Sequence, residues 1–176
     1  MAESVFTPLE INAREKPGVF SEVEKYLSLQ KLSIQTCDAS RPWGGFFVLA
    51  ESQAEVFAKK FFPEVPARDL YMGGKLSPKF LIVQPGKRLS WQYHARRAEI
   101  WRIISGKVGV VTSDSDKEGK VRELFPGDTI RLAKGQRHRL VGLVDWAVVA
   151  EIWQHTDANH PSDESDIVRL QDDFGR

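Results

Sequence analysis

Apolar residues recur at helical spacing from Pro17 to about Leu29, where Val19, Phe20, Val23, Tyr26 and Leu27 share one side. A second helix is predicted from Ser52-Gln-Ala-Glu55, which reads as a capping box ahead of Val56, Phe57, Phe61 and Phe62. Both read as packing elements. After Gly73-Gly74 the pattern changes to short runs rich in Phe, Ile, Val and Trp. These are punctuated by Pro85-Gly86, Ser105-Gly106, Asp116 to Gly119, Pro126-Gly127 and Lys134-Gly135. Turn signals at that spacing predict an all-β sandwich or barrel rather than alternating strands and helices. The sequence has no internal repeat and no low-complexity segment. Its tail, HPSDESDIVRLQDDFGR, is polar and reads either as an ordered lid or as a solvated end.

The 176 residues suit a single domain with a real core. The 25 Lys+Arg and 24 Asp+Glu nearly cancel, which weighs against a nucleic-acid or acidic-membrane partner. The start, MAESVFTPLE, has an acid at Glu3 and no basic lead into an apolar run. No apolar stretch approaches the roughly 18 residues of a membrane span, so a cytoplasmic protein is expected. A single cysteine, Cys37, allows no internal disulfide and no cysteine-rich zinc module. Any metal site must therefore draw on His, carboxylate or amide oxygen.

That requirement gives weight to WQYHARRAEIW, residues 91 to 101. In a strand, Gln92 and His94 share one face while Trp91 and Tyr93 share the other. The stretch from Ala95 to Ala98 can turn the chain, bringing Glu99 back toward His94. His138, in AKGQRHRL, is a further candidate after the turn at Lys134-Gly135. Two imidazoles, a carboxylate and an amide oxygen suit a borderline divalent cation. Taken singly these residues have plainer readings: a structural histidine, a surface amide, or a Glu99 ion pair with Arg96 or Arg97.

The joint spacing favours the metal reading. Gly86, Gln92, His94, Glu99 and Gly106 are separated by five, one, four and six residues. This resembles the first motif of the cupin superfamily, with Gln92 in place of its first histidine. The second motif follows as Gly127, Ala133, Gly135 and His138, with Gly142 where an asparagine is usual. More narrowly, four stretches resemble the C-terminal domain of type II phosphomannose isomerases (mannose-6-phosphate isomerases). They are SRPWGGFFVL, KFLIVQPGKRLSWQYHARRAEIWRIISG, LFPGDTIRLAKGQRHRL, and AEIWQHTD with DIVRLQDDFGR. In that family a glutamine also stands at the position of Gln92. Departures are Ala95 and Arg96 in a turn that is usually histidine-rich, and Ile100 at another common histidine.

The resemblance implies an all-β cupin jelly-roll barrel over residues 40–176; residues 1–39, which the resemblance does not cover, are expected to form an extension carrying one or two helices and packing on it. It implies a metal at Gln92, His94, Glu99 and His138, zinc first and Mn, Fe, Co or Ni as alternatives, and an essential Arg169. The implied activity is an aldose-ketose isomerisation of a phosphorylated sugar, moving a proton between C1 and C2 through a metal-stabilised enediolate. Lys79, Arg88 and Lys107 are further candidates for the phosphate. Glu151 and His155, at i and i+4, are candidates for the base. Without the resemblance, Arg169 reads as an ion-pair partner of Asp166 or Asp172. A non-catalytic sugar-binding cupin and a cupin oxygenase are the competing readings. If Gln92 and His94 point inward, Trp91 and Tyr93 point outward and need cover, from the N-terminal helix or from the second subunit of a homodimer, the latter being expected.

Overall fold

The computed structural model describes residues 6–71 and 73–176; Glu3 and the rest of the first five residues lie outside them. Helix α1, Lys16–Leu29, starts with a proline in its first turn, where no backbone donor is needed. It buries Val19, Phe20, Val23, Tyr26 and Leu27, the residues of the helical stripe. Strands β1, Ile34–Asp38, and β2, Gly44–Leu49, follow as an antiparallel pair.

The second helix begins differently from its sequence signal. Glu51–Gln53 forms a tight 3-10 turn, and α2 runs Ala54–Phe61 with no side-chain cap. Glu55, expected to close the capping box with Ser52, pairs instead with Lys59 at 3.0 Å, and the residues on either side of Ser52 have distant partners. Gln53 accepts from the Ser33 amide at 2.6 Å and donates to the Lys31 carbonyl at 2.9 Å. The Glu51 carboxylate accepts from the amides of Leu76 and Ser77 at 2.6 and 2.9 Å. These bonds tie the helical segment to its neighbours, and α2 starts two residues beyond Ser52. A short helix, α3, spans Ala67–Leu70.

The remaining strands are β3 Lys79–Val83, β4 Trp91–Tyr93, β5 Arg97–Ser105, β6 Val108–Ser113, β7 Arg122–Leu124, β8 Thr129–Leu132, β9 Arg137–Gly142, β10 Ala147–His155 and β11 Val168–Gln171. They form two antiparallel sheets, ordered β1-β2-β3-β10-β5-β8 and β11-β4-β9-β6-β7. The sheets face each other as a barrel. Its interior holds Leu81, Val83, Ile103, Val110, Leu140 and Val149. The helices cover the outer face of the six-stranded sheet, where Phe57 and Phe61 pack against Phe80 at ring distances of 5.9 and 5.2 Å. Strands β3 and β10 are thus buried on both faces, and for that reason KFLIV and AVVA read as continuous apolar runs.

Two glycines show what the turns demand. Gly86 adopts φ 71°, the left-handed conformation that opens its turn without strain. Gly142, at the usual asparagine position, approaches the backbone so closely that a Cβ there would lie 2.1 Å from the Gln84 carbonyl oxygen.

Trp91 and Tyr93 do alternate with Gln92, but the chain itself covers them. Trp91 is 2% exposed, and its Nε1 donates to the Asp116 carbonyl at 2.8 Å. The Arg137 guanidinium lies 4.1 Å from the centre of the Tyr93 ring. Neither the N-terminal helix nor a second subunit is required there, because the loop after β6 folds back over this sheet.

Candidate functional site

Strand pairing assembles the site. Residues directly opposite in antiparallel strands project to the same face. On the five-stranded sheet, Arg169, Gln92 and His138 stand in one row, since Gln92 pairs with Arg169 on one side and His138 on the other. On the six-stranded sheet, Lys79, Glu151 and Trp101 form a second row and Trp153 and Glu99 a third. The rows face one another across the barrel. His94 joins them from the residue just after β4.

His94, Glu99 and His138 are all buried, and one donor atom from each lies within 4.8 Å of the others. His94 Nε2 stands 3.1 Å from Glu99 Oε1, and His138 Nε2 stands 3.6 Å from Glu99 Oε2. Among the described residues His138 Nε2 and Glu99 Oε2 have no hydrogen-bond partner, an expensive state for buried polar atoms. The outer ring nitrogens are both occupied. His94 Nδ1 donates to the Asp166 carbonyl at 2.6 Å, and His138 Nδ1 donates to the Gln136 carbonyl at 2.9 Å. Those bonds direct each Nε2 into the cluster, which is how metal-binding imidazoles are held. Burial pushes His138 down to about 4, so it is neutral at physiological pH. Burial opposes charge on Glu99 as well, but His94 and Arg97 beside it outweigh that and hold its carboxyl well below the usual range. The three residues fit a divalent cation.

Gln92 needs a rearrangement to complete the set. Its Oε1 accepts from Ser90 Oγ at 2.6 Å, while its Nε2 lies 3.5 Å from His94 Nε2. A cation takes the oxygen, so the amide must turn over. Arg97 also contacts the cluster: its Nε donates to Glu99 Oε1 at 2.9 Å and its Nη2 lies 3.2 Å from His94 Nε2. The guanidinium stacks over Trp153, 3.6 Å from the ring centre. In this arrangement Arg97 balances the buried charge of Glu99.

A pocket opens beside the cluster, lined by Lys79, Gln92, Glu99, Glu151 and Arg169 among the expected residues. Glu151 is buried, and both its oxygens receive indole N–H bonds at 2.8 Å, from Trp101 and Trp153. Burial, with the nearby charge of Glu99, pushes its pKa up to about 7. Lys79 is buried and ion-paired with Glu164. Arg169 reaches the pocket from β11, and its side chain makes no hydrogen bond or ion pair among the described residues. The partners it was expected to have are engaged elsewhere: Asp172 pairs with Arg176 at 2.9 Å, and Asp166 accepts the backbone amides of Ala95 and Arg96.

The other expected residues lie outside this pocket. Arg88 pairs with Asp173 at 2.6 Å, and Lys107 pairs with Glu123 at 3.2 Å. His155 is held by Ser77 Oγ and the Ser162 amide, both at 2.9 Å. It does not reach the pocket because β10 carries it one turn of the strand pleat beyond Trp153 toward the 156–167 loop. Conversely, Arg41, Trp153, Glu164 and Arg176 line the pocket although the sequence reading did not choose them. Arg97, named there only as an ion-pair partner, does the same. Its signal was local: two residues before Glu99 in a strand, it shares that residue's face.

The fold and its cluster define a cupin barrel with a His/Glu/His group able to hold a metal. The chain matches the mannose-6-phosphate isomerase C-terminal family over residues 51–172 and belongs to that family. It is 29% identical over 140 residues to the alginate biosynthesis protein AlgA of Pseudomonas aeruginosa, covering 80% of this chain and 23% of that protein. It is 30% identical over 125 residues to the xanthan biosynthesis protein XanB of Xanthomonas campestris, covering 71% and 25%. The mannose-1-phosphate guanylyltransferase ManC of Salmonella typhimurium is 28% identical over 104 residues, covering 59% and 20%. The chain thus spans a quarter or less of these relatives. Among solved structures, a mutant of Bacillus subtilis oxalate decarboxylase OxdC aligns with a TM-score of 0.54 at 16% identity, over 77% of this chain and 30% of that one. Tomato vicilin aligns at 0.51 and 14%, over 79% and 35%. At that identity the likeness is one of fold alone. Among the described residues no helix is long and apolar enough to cross a membrane.

Proposed function

We propose that this chain is a metal-dependent isomerase of a phosphorylated aldose, of the mannose 6-phosphate type. The observation that carries the reading is that the proton-transfer candidate Glu151 lines one pocket together with Glu99 of the buried His94, Glu99 and His138 cluster, and with Lys79 and Arg169. His94, Glu99 and His138 would hold the cation, with Gln92 joining once its amide turns over. The nitrogen and oxygen donors make zinc the first candidate, ahead of Mn, Fe, Co or Ni. When bound, the cation supplies electron withdrawal that acidifies a C–H beside a sugar oxygen.

The chain's own residues supply the rest. Glu151 takes the proton from C2 and returns it to C1, while the hydroxyl proton passes from O2 to O1, so the aldehyde becomes an alcohol and the C2 alcohol a ketone. Burial prepares it for this, because a carboxyl raised to about 7 both accepts and releases a proton near neutrality. The indoles of Trp101 and Trp153 fix its two oxygens. Arg169, without a hydrogen-bond or ion-pair partner among the described residues, can bind phosphate or developing oxyanion through its planar fork. The buried Trp101 and Trp153 keep bulk water from the carboxylate.

The test is an assay across phosphorylated aldoses with metal-stripped and metal-restored protein. Turnover that follows the metal supports the reading. A metal-loaded protein that binds a phosphorylated sugar without turning it over would make it a binding module.

A further inference from the structure

The pocket is too small for such a substrate as it stands. Its cavity of about 80 Å³ compares with roughly 300 Å³ or more for an ordinary ligand pocket. Glu164 is among the groups that close it.

The Lys79–Glu164 pair is asymmetric. The Lys79 side chain is 7% exposed and the Glu164 side chain 65%. Lys79 rises from β3 against the ring of Trp153, 4.0 Å from its centre, with Phe46 at 5.1 Å. It is a fixed, largely desolvated cation. Glu164 has no other hydrogen-bond or ion-pair partner among the described residues. The loop around it is anchored independently. Arg97 Nη1 donates to Ser162 Oγ and to the Asp163 carbonyl at 2.8 and 3.1 Å. Ser162 Oγ donates to Asp166 at 2.7 Å. The Glu164 side chain can therefore swing into solvent while the loop stays in place. Its departure would clear one wall of the pocket and leave the buried Lys79 without a direct ion-pair partner, with Glu151 as its cross-strand neighbour, a state that favours capture of another anion.

We infer that Lys79 is the receptor for the anionic group of the ligand, a phosphomonoester, and that the Glu164 carboxylate holds its place until the ligand displaces it. This rests on reading the pocket as a sugar-phosphate site and deepens it. Glu164 is then a specificity-determining residue. A neutral sugar gains nothing at Lys79 and must enter against an intact ion pair, whereas a phosphorylated one replaces a carboxylate with a more highly charged group.

The probe is inorganic phosphate at mildly alkaline pH, titrated against full-length protein as purified and followed by tryptophan fluorescence, since Trp153 stacks on Lys79. Removing the competitor in Glu164→Gln should tighten phosphate binding by about two- to fivefold, the factor expected of a half-exposed ion pair. Lys79→Met should abolish that binding. Affinity unchanged or weakened in Glu164→Gln overturns the proposal, and so does phosphate binding that survives Lys79→Met, which would place the anion elsewhere. Should Lys79→Met fail to fold, Glu164→Gln alone decides, because its side chain faces solvent. Phosphate binding is read without turnover, so loss of the isomerase reading and loss of this exchange are separate results.

Discussion

Glu99 Oε2 and His138 Nε2 face each other across 3.6 Å, both buried and neither hydrogen-bonded. A cation between them satisfies both. Purified protein is therefore expected to carry close to one divalent ion per chain. Adding metal to stripped protein should stabilise it, by about 2.7 kcal/mol at a hundredfold excess over Kd. His138→Ala should abolish both the metal and the stabilisation while the barrel remains folded. Elemental analysis with thermal melts checks this, and a His138→Ala protein that melts higher with metal would place the site elsewhere.

Asp166 is expected to matter for the same site without touching the ion. Its carboxylate accepts the Ala95 and Arg96 amides and Ser162 Oγ, and so fixes the carbonyl that receives His94 Nδ1. Asp166→Ala should weaken metal affinity by roughly 10- to 100-fold, as loss of such an outer contact usually does. Competition with a chelating dye measures it. Affinity unchanged would show that His94 is oriented by the barrel alone.

Arg169→Lys keeps the charge and loses the fork. Activity should fall by roughly 2 to 4 kcal/mol of transition-state stabilisation. Because Arg169 has no hydrogen-bond or ion-pair partner among the described residues, stability should stay within about 0.5 kcal/mol and metal content should not change. Steady-state kinetics beside denaturant unfolding separates the two. A variant that is destabilised but fully active would make Arg169 structural.

Acid should weaken the metal-free fold through His155. Burial, with the positive charges of Lys75, Arg97 and Arg96, pushes this histidine from 6.5 down to about 4. Between those values the unfolded chain binds a proton that the folded chain does not, so stability rises with pH there. The contribution is present above 6.5 and is lost as pH falls through 4. His155→Gln should flatten the dependence in unfolding experiments across that window. An unaltered slope would assign it to other groups.

How far the sequence disclosed this protein follows from the range of each interaction. The barrel was legible because alternation and turn glycines are local, as at Gly86, Gly106, Gly127 and Gly135. The cluster at His94, Glu99 and His138 was legible because two motifs lie in recognisable spacing. The capping box at Ser52 misled because the flanking Glu51 and Gln53 are fixed by partners 20 to 26 residues away in sequence, and the chain there forms a 3-10 turn before α2 begins. Lys79–Glu164 was invisible for the same reason, its partners lying 85 residues apart. The cover over Trp91 was sought in a helix or a subunit, since nothing local marks Asp116 as the residue that folds back upon it.

The central claim is that Glu151 moves a proton between adjacent carbons of a sugar phosphate held beside the cluster. The most direct measurement is proton NMR of mannose 6-phosphate in deuterium oxide with metal-loaded protein. The account predicts loss of the C2 proton signal as the ketose forms. It predicts that Glu151→Gln, with metal still bound, slows this by about 100- to 10,000-fold, the usual contribution of a positioned acid-base group. Undiminished exchange and turnover in Glu151→Gln would contradict the assignment, and a metal-loaded wild-type protein that neither exchanges nor converts this or any other phosphorylated aldose would contradict the isomerase itself.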